Sequence, residues 1–156
     1  MAENNNKRRV VVTGMGVVTP IGLNVEDFWQ GLREARNGVS ELGGFPLEDL
    51  KILIAAQIKD FQPKEHLRHF KRDKIIMHAD RYSWFAAAAA DQAVKQSGLE
   101  VPFVDPYRSA CIIGSGAGGL VTYEKAYRDL FIENKRATHP LTLLRIIGSS
   151  ASAHVG

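Results

Sequence analysis

The 156-residue sequence has a single cysteine, Cys111. That excludes an intrachain disulfide and suits a reducing compartment. No apolar run approaches the roughly 18 residues of a membrane span, so no transmembrane helix is expected. The first nine residues are polar and lack the apolar segment of a secretory signal. Residues 1–7 read as a loose tail, and the chain is expected to be cytoplasmic. There is no internal repeat and no low-complexity linker. The net charge is only +3, too small to argue for nucleic acid. What excess there is lies in one place. Between residues 64 and 74, Lys64, Arg68, Lys71, Arg72 and Lys74 outnumber Glu65 and Asp73 by as much as the whole net charge. Such a stretch is either a solvated face or a docking patch for an acidic partner.

What is present fits an ordinary globular chain, with 45% hydrophobic residues. Arg9 to Val12 is apolar and β-branched, as in a buried strand. Thr13-Gly14-Met15-Gly16 breaks it, and Val17 to Gly22 has turn chemistry. Asn24 is a good N-cap, with Asp27 three residues on. Val25, Phe28, Trp29 and Leu32 follow at i, i+3, i+4 and i+7, which predicts an amphipathic helix from Val25 to Ala35. Ile52 to Ile58 reads as an edge strand, and Pro63 to Ile76 as partly helical. Asp80 stands where it would cap a helix from Arg81 to Ser97, with Gly98 as its stop. Ala86 to Ala90 makes that helix narrow, so a neighbour can approach closely and the helix is expected to be buried. Val101 to Tyr107 reads as a loop, and Leu120 to Asn134 as a third helix with Tyr123, Tyr127, Leu130 and Phe131 on its apolar face. Leu141 to Ile147 has no clear period. Gly148 to Gly156 is rich in small residues, suiting tight helix packing.

Ser109 to Ile113 is an apolar run of strand length. It leads into Gly114-Ser-Gly116-Ala-Gly118-Gly119, where glycine permits sharp turns and close approach. Read literally, Gly114-x-Gly116-x-x-Gly119 is a dinucleotide fingerprint. That motif also needs a second strand ending in an acid about 20 residues on. Glu133 falls instead at the end of the helix, and Asn134 to Pro140 is no strand. Cys111 invites a nucleophile reading, but no helix N-terminus or cation adjoins it in sequence, so a buried structural cysteine is expected. His66 and His69, with His78 nearby, lack the further ligands of a zinc site. His139 and His154 read as structural.

Taken together the motifs resemble a family. Arg8-Arg-Val-Val-Val-Thr-Gly-Met-Gly-Val-Val-Thr-Pro-Ile-Gly22 is similar to the opening strand and loop of the beta-ketoacyl-acyl carrier protein synthases. The likeness continues through Phe28-Trp29, Gly38-Val-Ser40, Asp80-Arg81-Tyr82, Gly114 to Gly119 and Ala153-His-Val-Gly156. It covers nearly the whole chain and is nearest to the elongating type II branch.

This resemblance implies a thiolase-like layered α/β fold, of which residues 1–156 form an incomplete N-terminal half. It implies condensation of an acyl thioester with malonyl-acyl carrier protein in fatty acid synthesis. Acyl carrier protein is the implied partner, in a homodimer or with a complementing chain, and no cofactor is implied. Family members are more than twice as long. Their cysteine nucleophile and two histidines fall beyond Gly156, so no catalytic residue is expected here, and the chain reads as one cut within its fold and inactive alone. Ala117 corresponds to a position beside the acyl pocket, where a small residue leaves room for a longer chain. Lys74, with Lys71 and Arg72, resembles the carrier-docking patch. A non-catalytic complementing piece and a dinucleotide-binding domain are the other readings.

Overall fold

The computed structural model describes residues 8–44, 48, 50–67 and 78–156. Helix α1 spans Val25–Arg33. Asn24 Oδ1 accepts from the Asp27 amide at 2.9 Å, and the Asn24 amide group donates back to the Asp27 carboxylate at 2.7 Å. This exchange satisfies one of the amides left open at a helix start. The helix stops short of its predicted Ala35. Ala35 has a φ of 51°. Its N–H donates to Leu32 O at 3.1 Å, and the Arg36 N–H reaches Gly31 O at 2.8 Å. That paired closure with a left-handed residue is a Schellman end, formed here on alanine before Asn37-Gly38 is reached.

Strands β1 (Ser40–Glu41) and β2 (Ile54–Ala55) form one antiparallel pair. Within the predicted 52–58 strand the ladder is limited to these two residues, with Leu53 O accepting from Leu42 N and the Gln57 side chain bonding the Gly43 backbone on either side. The predicted strand at Arg9 to Val12 is extended but makes no ladder among the described residues, and Val10 and Val12 are 91% and 81% exposed. A strand is defined by its partner's hydrogen bonds, so apolar β-branched sequence alone does not produce one. Helix α2 is short, Pro63–His66, with proline at its first position.

Helix α3, Arg81–Ser97, has the predicted limits, and Gly98 closes it at φ 69°. It is the centre of the molecule. Ala87 and Ala88 are fully buried and cluster with Leu67 and Ala79; Val18, Phe61, Trp84 and Val155 pack around them. Burial of Leu67 stabilises the fold by about 1.5–3 kcal/mol relative to leaving it in water. The segment 14–23 lies directly on the helix. A Cβ on Gly14 or Gly16 would come within 2.0 Å of Ala93 O or 1.9 Å of Ala89 O. Two glutamines one turn apart hold this segment in the manner of a neighbouring strand. Gln92 Oε1 accepts from Val17 N, and its amide group donates to Val17 O and Leu23 O; Gln96 Oε1 accepts from Met15 N.

Residues 101–108 form a loop ending in a short 3-10 turn, Pro106–Arg108. Helix α4, Leu120–Tyr127, then runs into a wider π turn, Arg128–Ile132. The predicted third helix therefore exists but loosens after two turns. Tyr123, Tyr127 and Phe131 are more than half exposed, with the last two rings 4.9 Å apart. Their apolar face is a surface rather than core. The unassigned stretch becomes helix α5, Thr142–Ile146, started by His139, whose Nδ1 accepts from Leu141 N and whose carbonyl accepts from the Thr142 hydroxyl. Helix α6, Ser150–Val155, packs on α3 through buried Ser150 and Ala151, as its small residues predict. No helix among the described residues is long and apolar enough to cross a membrane.

Asp80 corrects one sequence expectation. Its backbone occupies the N-cap position of α3, but its side chain does not cap that helix. The carboxylate, 5% exposed, accepts from Thr122 N at 2.7 Å, in the first turn of α4. Gly119 precedes α4 and has no side chain to serve as a cap, so Asp80 supplies the acceptor from another element. Its charge then lies at the positive ends of two helices. Asp80→Ala leaves the part-buried Thr122 amide without this acceptor and should cost about 1–3 kcal/mol, while Asp80→Asn keeps an acceptor and recovers most of that. Urea midpoints of the three chains check this; equal losses for Ala and Asn would show that the hydrogen bond is not the source.

Candidate functional site

Residues 109–113 are extended and lie against the alanine face of α3, opposite residues 14–16. Between them is an open, largely apolar cleft of about 740 Å³. Ala86, Ala89, Ala90 and Ala93 line it from the helix, and Val101 to Phe103, with Val155, complete the wall. The floor is wide because alanine projects only a methyl. The predicted strand here is again extended without a paired neighbour. Burial still alternates along it: Cys111 and Ile113 are half-buried, and Ile112 is 93% exposed.

Cys111 is therefore a half-buried cleft residue, not the fully buried core residue the sequence suggested. The reason is that the run has no sheet over it. Among the described residues the cleft lining carries no histidine, lysine or arginine. Cys111 Cβ lies close to where a Cβ on Gly156 would stand, at 3.2 Å.

The glycine turn closes on itself. The Gly118 N–H donates to Ser115 Oγ at 3.0 Å, the Gly119 N–H to Ile146 O at 3.0 Å, and the Thr122 N–H to the Asp80 carboxylate. A dinucleotide site needs such amides at the head of the helix free for a pyrophosphate. Here three are taken, one by an anionic side chain that would repel a phosphate. The fingerprint is a coincidence of spacing.

Its glycines divide into two kinds. A Cβ on Gly118, whose φ is 67°, would come within 2.2 Å of Ile146 O, and one on Gly119 within 2.2 Å of Arg145 O. Those two allow the turn to lie backbone to backbone on α5. Gly114 and Gly116 have open space where a Cβ would be. The Tyr82 hydroxyl donates to Ile147 O and fixes the far side of the same contact. Ala117 lies exposed on the turn and does not line the cleft. Lys71, Arg72 and Lys74 lie outside the described residues, as does His69. His66 stacks on Phe61 with ring centres 4.8 Å apart.

The features sequence reasoning missed are the Asp80 bridge and the Gln92–Gln96 clamp. The clamp had a visible signal, two amides four residues apart on an otherwise small and apolar helix face. The Asp80 bridge had none, since its residue also suits an ordinary cap.

His154, on α6, is held below the usual imidazole range, chiefly by burial. A hydrogen bond to the backbone of His78 pulls the other way, and the charge of His78 pushes further down. The unfolded chain, with the ordinary value near 6.5, binds more protons than the folded one between the two values. This contribution is whole above that ordinary value and is lost as pH falls through the lowered folded one. Denaturation at pH 7.5 and at pH 5 should show the loss, and His154→Gln should flatten it. A loss unchanged in the variant would assign it elsewhere.

By architecture this is part of a thiolase-like α/β fold. It superimposes on the ishigamide ketosynthase/chain length factor with a TM-score of 0.76 at 26% identity, over 96% of this chain and 36% of that one. A beta-ketoacyl synthase from Burkholderia phymatum matches at TM-score 0.77 and 22% identity, over 96% and 36%, which speaks for the fold alone. The chain belongs to the beta-ketoacyl synthase family, whose N-terminal domain matches residues 7–156. It is 38% identical to 3-oxoacyl-[acyl-carrier-protein] synthase 2 of Coxiella burnetii over 149 residues, 96% of this chain and 35% of that relative. The Synechocystis enzyme of the same name is 33% identical over the same shares. The chain thus spans about a third of the length of these relatives.

The close contacts predict an order of tolerance within the turn. Gly118→Ala should cost more than about 1 kcal/mol, and Gly114→Ala should stay within about 0.5 kcal/mol. Chemical denaturation reads both, and the reverse order would mean that the turn is spaced for a ligand.

Proposed function

We propose that this chain is the N-terminal portion of an elongating condensing enzyme of fatty acid synthesis, acting in the cytoplasm on acyl and malonyl thioesters of acyl carrier protein. The reaction joins the acyl group to the malonyl carbon with loss of carbon dioxide. It requires a cysteine that accepts the acyl group as a thioester and groups that stabilise the oxyanion formed on decarboxylation.

The observation that carries this reading is the self-satisfied glycine turn in a chain of this family. Its amides serve α5 and Asp80, so the turn acts as a wall and not as an anion cradle. In this reading Ala117 borders the acyl chain and its methyl leaves room for a long one. Lys74, Lys71 and Arg72 meet the acidic carrier. One solved relative in fold is a type II polyketide ketosynthase in complex with its acyl-carrier protein, 21% identical to this chain. A homodimer is part of the same proposal, supported by the exposed aromatic face of Tyr123, Tyr127 and Phe131.

The chain by itself is not expected to form an acyl-enzyme. Cys111 faces a cleft whose lining carries no histidine, lysine or arginine. Incubation with radiolabelled acyl-carrier protein should give reversible, salt-sensitive capture, weakened about ten-fold or more by reversing the charges of Lys71, Arg72 and Lys74. No covalent label should remain on the chain after denaturation. A stoichiometric adduct would overturn the inactivity, and capture indifferent to the three charges would remove the docking assignment.

A second reading, a complementing piece that works by pairing with another polypeptide, is favoured by one observation. Val10, Val12 and Ile112 are each at least 81% exposed in segments of strand-forming sequence.

A further inference from the structure

We propose that the stack of His66, Phe61, Phe85 and Arg81 is the positioning device for docking of the acidic carrier, because it ties together the points at which the chain enters and leaves its basic interval. This rests on the carrier-docking reading above. The His66 ring lies on the Phe61 ring, with centres 4.8 Å apart and planes inclined by 16°. Phe85 meets Phe61 edge-on at 5.0 Å, and the Arg81 guanidinium lies over the Phe85 ring, 5.5 Å from its centre. Edge-to-face rings and a cation over a ring face are both favourable arrangements. Arg81 also donates to Ile58 O at 3.0 Å.

The stack joins segments on either side of the basic interval. Phe61 and His66 precede the residues between Leu67 and Ala79, and Arg81 and Phe85 follow them. Leu67 and Ala79 themselves share one buried cluster, against which Phe61 packs. In sequence the interval carries Arg68, Lys71, Arg72 and Lys74. Fixing both ends of a chain segment removes conformational freedom before a partner arrives, so less is lost on binding. A purely apolar pair would tie the ends as well, but this stack ends on a cation. Arg81 and Lys64 are both exposed, one on each side of the interval in sequence, and they add to its positive field. Charge steers association, whereas preorganised contacts show in the rate of dissociation.

The test flows the full chain over immobilised acyl carrier protein and reads both rates. Arg81→Lys keeps the charge and loses the planar stacking group. It should raise the dissociation rate about five-fold, with association at low salt unchanged. Phe61→Leu keeps an apolar side chain without the ring and should do the same, while Phe61→Tyr should restore the rate of the unaltered chain. Arg81 is exposed, so Arg81→Lys reads the stack even if Phe61→Leu unfolds, and helical circular dichroism checks each chain. Reversing the charges of Lys71, Arg72 and Lys74 should instead slow association. Absence of binding by the unaltered chain removes the docking reading and this inference with it. Unchanged dissociation in Arg81→Lys, with the unaltered chain binding, overturns this inference alone. A loss confined to the association rate would make Arg81 a steering charge and overturn it too.

Discussion

From Ala86 to Ala90 helix α3 carries no side chain longer than a methyl, and this sets how near everything else can come. The loop at Gly14 and Gly16 lies on the helix carbonyls, at distances that leave no room for a Cβ. Helix α6 meets the same helix through Ser150 and Ala151. Where nothing covers the alanines, the small side chains become the floor of a cleft. One compositional choice thus produces both the tight core and the open surface. Dispersion contacts are short-ranged, so close approach gains much where it occurs and nothing across a gap.

Polar groups then lock what small residues permit. Gln92 and Gln96 hydrogen-bond the backbone of residues 15–23 as an adjacent strand would, using side-chain amides in place of a ladder. The Asp80 carboxylate joins the first turn of α4 to the start of α3. The glycine turn is held between these elements by its own Ser115 and by the end of α5. The surface ion pair of Arg128 with Glu124 is exposed on both sides and screened, and contributes little to this arrangement.

The condensing-enzyme family and the unpaired segments bear on each other. Strand-forming sequence at 9–12 and 109–113 reads correctly as extended backbone, and what it lacks is a ladder. The chain spans about a third of its relatives' length, and sheet formation is non-local. Periodicity is written in each segment, whereas pairing depends on segments far away in sequence. The same logic explains why Cys111 reads as core from its neighbours and lies on a cleft wall in the structure.

The local signals were legible without coordinates. Asn24 and Asp27 begin α1, Gly98 ends α3, and the alanine run marks a helix meant for close packing, because caps and small side chains act over a few residues. The family, too, was readable from ordered motifs between Arg8 and Gly156. The tertiary structure alone decided that α1 ends at Arg33, short of Ala35, which helix Asp80 serves, and which glycines are required. It alone showed that the amides at Gly118, Gly119 and Thr122 are already occupied. Those outcomes turn on which groups meet across distances of tens of residues, and a hydrogen bond or a Cβ clash exists only once both partners are in place.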